Sequence, residues 1–175
     1  KAEQPRIFWN RDSAIAPWMG YNAAVHMNDT AISTIEQFLM LQTQRRWSAA
    51  LELLSDDYLA RKYALIQQAC THECAAKYGY GSVEDATNDS LRGFVKRMLE
   101  SSERDAGGAN PVQDAIPENA DCHMASEGDE VVVTLSTPYT CSRIRYVTER
   151  IHDGRRLIAH AVVAHTHLHQ DEEDR

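Results

Sequence analysis

Two spacings of hydrophobic residues divide this chain. From Thr30 to Leu99 apolar side chains recur every three or four positions, and from Ala120 onward they recur every second one. The first spacing lays an apolar stripe along an α-helix, and the second lays an apolar face on a β-strand. Helices packed on a C-terminal antiparallel sheet, an α+β fold, is the class this order predicts.

Asn28-Asp29-Thr30 offers three helix-capping side chains, and Ile32, Ile35, Phe38, Leu39 and Gln42 then share one face of a first helix. Beyond Arg45-Arg46, Trp47, Ala50, Leu51 and Leu54 keep helical spacing in a short second helix. Ser55-Asp56-Asp57 supplies a fresh cap with acids in the first turn. The stripe Leu59, Tyr63, Ile66, Cys70 and Cys74 predicts one third helix, ending at Tyr78-Gly79 where glycine can take a left-handed cap. Ser82-Val83-Glu84-Asp85 resembles a capping box and opens a fourth helix through Leu91, Phe94, Val95, Met98 and Leu99, with Gly93 its weak point. The stretch 105–119, with Gly107-Gly108, Pro111 and Pro117, reads as a long exposed connection.

Four strands follow: Ala120 to Ser126, Glu130 to Ser136, Cys141 to Ile151 and Arg156 to Leu168. Asp153-Gly154 signals a two-residue hairpin loop that would pair Ile151 with Arg156, Tyr146 with Ala161, Ile144 with Val163 and Ser142 with His165. The turn at Thr137 to Thr140 brings Val133 beside Ile144 and Val131 beside Tyr146. One face then carries Val131, Val133, Leu135, Ile144, Tyr146, Leu157, Ala161 and Val163 and takes the helices. The other carries Thr134, Arg143, Arg145, Glu149 and His160 and meets water or a partner. Cys122 falls near Thr134 in this register, too far from Cys141 for a disulfide. Residues 1–28, with Phe8, Trp9, Trp18 and Tyr21 between prolines and a glycine, form an irregular aromatic arm. The whole of 1–170 reads as a single domain, and 171–175 as an acidic tail.

Length and composition are those of an ordinary globular domain: 175 residues, 43% hydrophobic and 25% charged. No apolar run approaches the roughly 20 residues of a membrane-spanning helix. A net charge of −8 repels nucleic-acid phosphates and favours encounter with a basic protein. The four cysteines lack the spacing of a secreted disulfide scaffold, so reduced thiols and the cytoplasm are the expectation, with the periplasm as alternative. The start at Lys1, without initiator Met or apolar signal core, points to a trimmed or processed chain.

Trp47-Ser48-Ala49-Ala50-Leu51-Glu52-Leu53-Leu54-Ser55-Asp56-Asp57-Tyr58 resembles the helix 1 to helix 2 signature of NTF2-like proteins. Glu127-Gly128-Asp129-Glu130-Val131-Val132-Val133 and the segment from Tyr146 to Ile158 resemble that family's closing strands. The pattern departs from the family at Arg155, where an aromatic usually stands after the last hairpin's glycine, and in lacking a hairpin between the second and third helices. The resemblance implies a cone in which a curved sheet and helices enclose a pocket. Members include small isomerases and dehydratases, ligand-binding modules, and immunity proteins that neutralise bacterial toxins.

Candidate chemistry is sparse. His165, His167 and His169 alternate on one strand face, a spacing able to supply metal ligands, but without accompanying carboxylates solvated histidines are the preferred reading, and no metal is assigned. Cys70 and Cys74 flank His72, a spacing too open for a zinc knuckle, and read as small core fillers. Ser142, Tyr146 and His165 would line the pocket of a cone, as structural groups before catalytic ones. No catalytic residue and no cofactor is assigned. The functional expectation is a protein-binding module using Arg143, Arg145, Glu149 and His160, most sharply an immunity protein against a basic toxin. A small-molecule enzyme or ligand-binding module is the alternative, and the same sheet face could form a homodimer seam.

Overall fold

The computed structural model describes the backbone of residues 7–8, 30–105 and 120–167 and the side chains of 30–105 and 120–164. Most of the arm, at 9–28, the 106–119 connection and the 171–175 tail lie outside the described residues. The architecture is α+β, with helices followed by a curved antiparallel sheet.

Helix α1 (Ala31–Thr43) begins at Thr30, whose hydroxyl accepts from the Ser33 amide while the Ser33 hydroxyl accepts from the Thr30 amide, a reciprocal cap. It buries Ile35, Phe38 and Leu39. Helix α2 (Trp47–Ala50) runs into a 3-10 turn, Leu51–Leu53. Helix α3 (Asp56–Gln68) starts at Ser55, whose hydroxyl accepts from the Tyr58 amide.

The predicted third helix is in fact two. The chain leaves helical geometry after Gln68, and Thr71 caps a new helix, α4 (His72–Lys77), so Cys70 and Cys74 do not share a helical stripe. A threonine that can bond the backbone ahead of it competes with helix continuation, and here it wins. The fourth helix divides for the same reason: α5 (Val83–Asn88) stops at Asp89, and Ser90 caps α6 (Leu91–Arg104) by accepting from the Gly93 amide. Ile66 is 47% exposed, whereas Gln67 is buried. Its amide Nε2 donates to the carbonyls of Ala86 (2.9 Å) and Asp89 (3.0 Å), closing the end of α5.

Among the described residues the sheet has five strands in the order of the chain: β1 (Ile7–Phe8), β2 (Asp121–Glu127), β3 (Glu130–Ser136), β4 (Thr140–Arg150) and β5 (Arg156–His167). The short β1 is an addition to the four predicted strands and pairs with Cys122 and Asp121. Gly128 (φ +61°) takes the first central position of a two-residue β2–β3 loop, a place suited to glycine. Cys122 therefore pairs with Leu135 rather than with Thr134. It is buried on the inner face while Cys141 pairs with Ser136 on the outer one, and all four cysteines are free thiols.

Pairings Val131–Tyr146, Val133–Ile144, Tyr146–Ala161, Ile144–Val163 and Ser142–His165 are those the sequence predicts. Near the last turn the register differs. The loop is His152-Asp153-Gly154, one residue longer than expected: Gly154 (φ +85°) donates to the Ile151 carbonyl, and the Ile151 amide donates to that of Arg155. Arg150 thus pairs with Arg156, and a bulge at Ala159 restores the predicted register from Val147–His160 onward. Between the two shifts Ile158 turns inward, fully buried, and Leu157 lies beside Glu149 on the outer face, reversing their expected roles.

Helices α1 and α3 cover the inner face, and α6 packs behind α2 and α3. Leu54 forms a parallel bridge with Ile158, and the Ser55 amide donates to the Ile158 carbonyl (3.0 Å), fastening the helical layer to β5. This layer reaches Ala161 but leaves Val163 45% exposed, although Val163 was expected in the core. Val133 and Ile144 are buried as predicted.

Candidate functional site

Strand pairing sorts the sheet residues into transverse rows. On the outer face one row runs His123, Thr134, Arg143, Ala164; the next runs Ala125, Val132, Arg145, Val162; the third runs Glu127, Glu130, Val147, His160. Neighbours within a row have Cβ atoms about 5 Å apart, so each row is a continuous surface. The four predicted contact residues, Arg143, Arg145, Glu149 and His160, all stand on this face, with Glu149 past the bulge beside Leu157. Arg143, Arg145 and Glu149 are exposed, and His160 is half-buried against its neighbours.

The two arginines differ in setting. Arg145 reaches diagonally to Glu130 with two hydrogen bonds, Nε to Oε2 at 2.9 Å and a second from its terminal nitrogen to Oε1. These hydrogen bonds, then the guanidinium charge, hold the Glu130 carboxyl below the usual glutamate range, and the same bonds, then the carboxylate charge, raise Arg145. Arg143 has Thr134 and His123 beside it in its row, neither of them a carboxylate. Val132, Val147 and Val162 run between the charged groups, with Val162 49% exposed. The face is therefore mixed: Arg145 stands between Val132 and Val162 in its row and next to Val147 on β4, and Arg143 and His160 lie in the adjoining rows. His123 and the outward valines did not figure among the predicted site residues. The signal that finds them is the same alternation of period two, applied to β2 and to the middle residue of Val131-Val132-Val133.

The predicted pocket residues part company. Ser142 and His165 pair across β4 and β5, and Tyr146 lies two pairs further in on the same inner face. Tyr146 is 1% exposed and meets Phe38 edge-on at 6.1 Å between ring centres. Ser142 is half-buried, and the side chains of His165 and His167, with all of His169, lie outside the described residues. Tyr58 and Tyr63 of α3 join Tyr146 in the core. Burial pushes the Tyr58 phenol up to about 12. Burial first, then the nearby Tyr58, pushes Tyr63 and Tyr146 higher still. At neutral pH these phenols keep their protons.

Among the described residues no group of three or more His, Cys, Asp or Glu is placed to hold a metal ion, and no helix is long and apolar enough to cross a membrane. Asp56, a first-turn acid of α3, binds Arg92, whose guanidinium also donates to the Leu51 and Leu54 carbonyls. That is a helix-terminus tie. No protein-family model, curated protein or solved structure matches this chain.

Proposed function

We propose that this chain is a protein-binding module of NTF2-like type that acts through the outer face of its sheet, as an immunity protein occupying a cognate bacterial toxin. The observation that carries the reading is the composition of that face. Val132, Val147 and Val162 stand around Arg145, and Arg143 and His160 lie in the adjoining rows. Arginines set among apolar side chains are enriched in protein contacts. The net charge of −8 supports a partner that is basic overall, since long-range attraction raises the rate of encounter.

The test is protection of growing cells from the toxin encoded beside this gene. Arg143→Glu and Val132→Glu should abolish protection while leaving the chain folded, and Tyr146→Phe should leave protection intact. Protection that survives both outer-face variants rejects the reading. A second reading, a small-molecule enzyme or ligand-binding module, draws support from Tyr58, Tyr63 and Tyr146, which gather on the inner side with their protons retained. In that case Tyr146→Phe, and not Arg143→Glu, is the variant that removes activity or ligand binding.

A further inference from the structure

Strand β5 is an edge of the sheet, and among the described residues its two ends are treated differently. At Ile158 the free side is occupied by the Leu54 bridge and the Ser55 amide. Past the bulge at Ala159, from His160 to Thr166, no described strand lies against that side. Long edge strands in proteins are ordinarily blunted by lysine, proline or a bulge in their middle. This stretch, His160-Ala161-Val162-Val163-Ala164-His165-Thr166, has none of these and no Asp, Glu, Lys or Arg. It also exposes two consecutive valines, Val162 at 49% and Val163 at 45%, one on each face of the sheet.

The direction of its backbone groups follows from the bonds at the other end. The Thr148 amide donates to Asp129, on the β3 side, and the Ile151 amide donates to Arg155, on the β5 side. Even-numbered residues of β4 therefore turn their N–H and C=O toward β3, and their β5 partners turn theirs to the side that no described strand occupies. Those partners are Ala161, Val163 and His165. The Ile158 carbonyl, opposite Thr148, obeys the same rule by accepting from Ser55.

We propose that two copies of this chain join at this edge, β5 beside β5 in antiparallel order, about a two-fold axis normal to the sheet and passing at Val163. An axis in that direction keeps the two inner faces on one side and the two outer faces on the other. Val163 then meets Val163 of the second copy, and Ala161 meets its His165. These three pairs, counting both directions, form about six backbone hydrogen bonds, using all the outward-turned groups of the stretch. Side chains beside the axis fit by size as well: Val162 falls opposite Ala164, so the larger group faces the smaller one. No carboxylate, ammonium or guanidinium groups oppose each other, because the stretch has no Asp, Glu, Lys or Arg. A foreign strand could use the same backbone groups, but the pattern of alternating sizes about Val163 is complementary to itself. The outer contact face is left on one side of the joined sheet, so this assembly does not depend on the toxin-binding reading.

Sedimentation equilibrium of the full 175-residue chain is the first test, with two chains of 19.8 kDa as the expected species at micromolar concentration and above. Val163→Lys sets two ammonium groups at the axis and should weaken the dimer by about tenfold or more, at an exposed position where the fold survives, as circular dichroism will check. Val163→Cys should cross-link to itself on mild oxidation, because directly paired Cα atoms lie about 5.5 Å apart, and should do so faster than Leu65→Cys on exposed α3. A chain that remains monomeric at all concentrations overturns the proposal. So does a dimer that persists unchanged in Val163→Lys and fails to cross-link through Val163→Cys, since such a dimer forms elsewhere.

Discussion

Leu157 and Ile158 are adjacent, similar in size, and assigned opposite faces by the bulge, which makes them a sensitive test of the last hairpin. A tight two-residue turn would put Leu157 in the core and Ile158 outside, and the observed geometry does the reverse. Ile158 is fully buried, bridged to Leu54, and its carbonyl accepts from Ser55, so it sits where the helical layer meets the sheet. Truncating a buried isoleucine to alanine costs about 2–5 kcal/mol, the spread reflecting how far the cavity collapses. This site, held between two fastened elements, should not collapse freely, so a value of about 3 kcal/mol or more is expected for Ile158→Ala. Leu157, half-buried beside Glu149, should lose about 1 kcal/mol or less. For a chain of this size the first figure corresponds to a fall in Tm of about 6–12 °C and the second to about 4 °C or less. Urea titration and thermal scans of the two variants decide the matter. Equal effects, or a larger one at Leu157, would refute the bulged register.

Other consequences can be measured on the same chain. Gln67→Leu keeps the volume but strands the Ala86 and Asp89 carbonyls that its amide bonds, so stability should fall by about 2–4 kcal/mol, with hydrogen exchange in α5 accelerated most. Alkaline titration by ultraviolet absorbance should find Tyr58 ionising near 12, and Tyr63 and Tyr146 still later. Because these folded-state values lie above the ordinary 10, the stability they confer is complete below pH 10 and drains away as pH climbs through the folded values; Tyr146→Phe should reduce that alkaline loss. Carbon NMR of the Glu130 carboxyl should show it titrating below 4.5, rising in Arg145→Gln and in high salt. As a depressed acid, Glu130 supports the fold above its unfolded value, and that support disappears as pH drops through the lower folded one.

The fold was legible in sequence wherever a pattern had one solution. Val131, Val133 and Leu135 on β3 and Ile144 and Tyr146 on β4 recur at every second position between two turns, so that a register error would invert all of them at once and their pairing could be read directly. The Asp153-Gly154 signal was ambiguous in a way that spacing does not resolve, since glycine serves equally the two-residue loop and the three-residue loop actually used. The later bulge cancelled that difference, which is why pairs far from the turn came out right while Leu157 and Ile158 did not. On the helices, apolar spacing ran on through Thr71 and Ser90, where side-chain caps end one helix and begin another. Ile66 looked like core because isoleucine is apolar, yet the buried position at the next residue belongs to Gln67, chosen for its hydrogen bonds to a chain end that spacing could not locate. For the site, alternation was enough to group Arg143, Arg145, Glu149 and His160 on one face, whereas the Glu130 partner of Arg145 is diagonal and depends on the register of two strands together.

The outer face proposed as contact surface is tested most directly by methyl NMR of the valine-labelled chain while the proposed partner, the product of the neighbouring gene, is added. The three consecutive valines of β3 report on both sides of the sheet, because Val132 points outward and Val131 and Val133 are fully buried. Binding through the proposed face should shift or broaden Val132, Val147 and Val162 at stoichiometric ratio and leave Val131 and Val133 in place. Changes confined to the helical layer or the buried valines, with Val132 and Val147 unmoved, would contradict it.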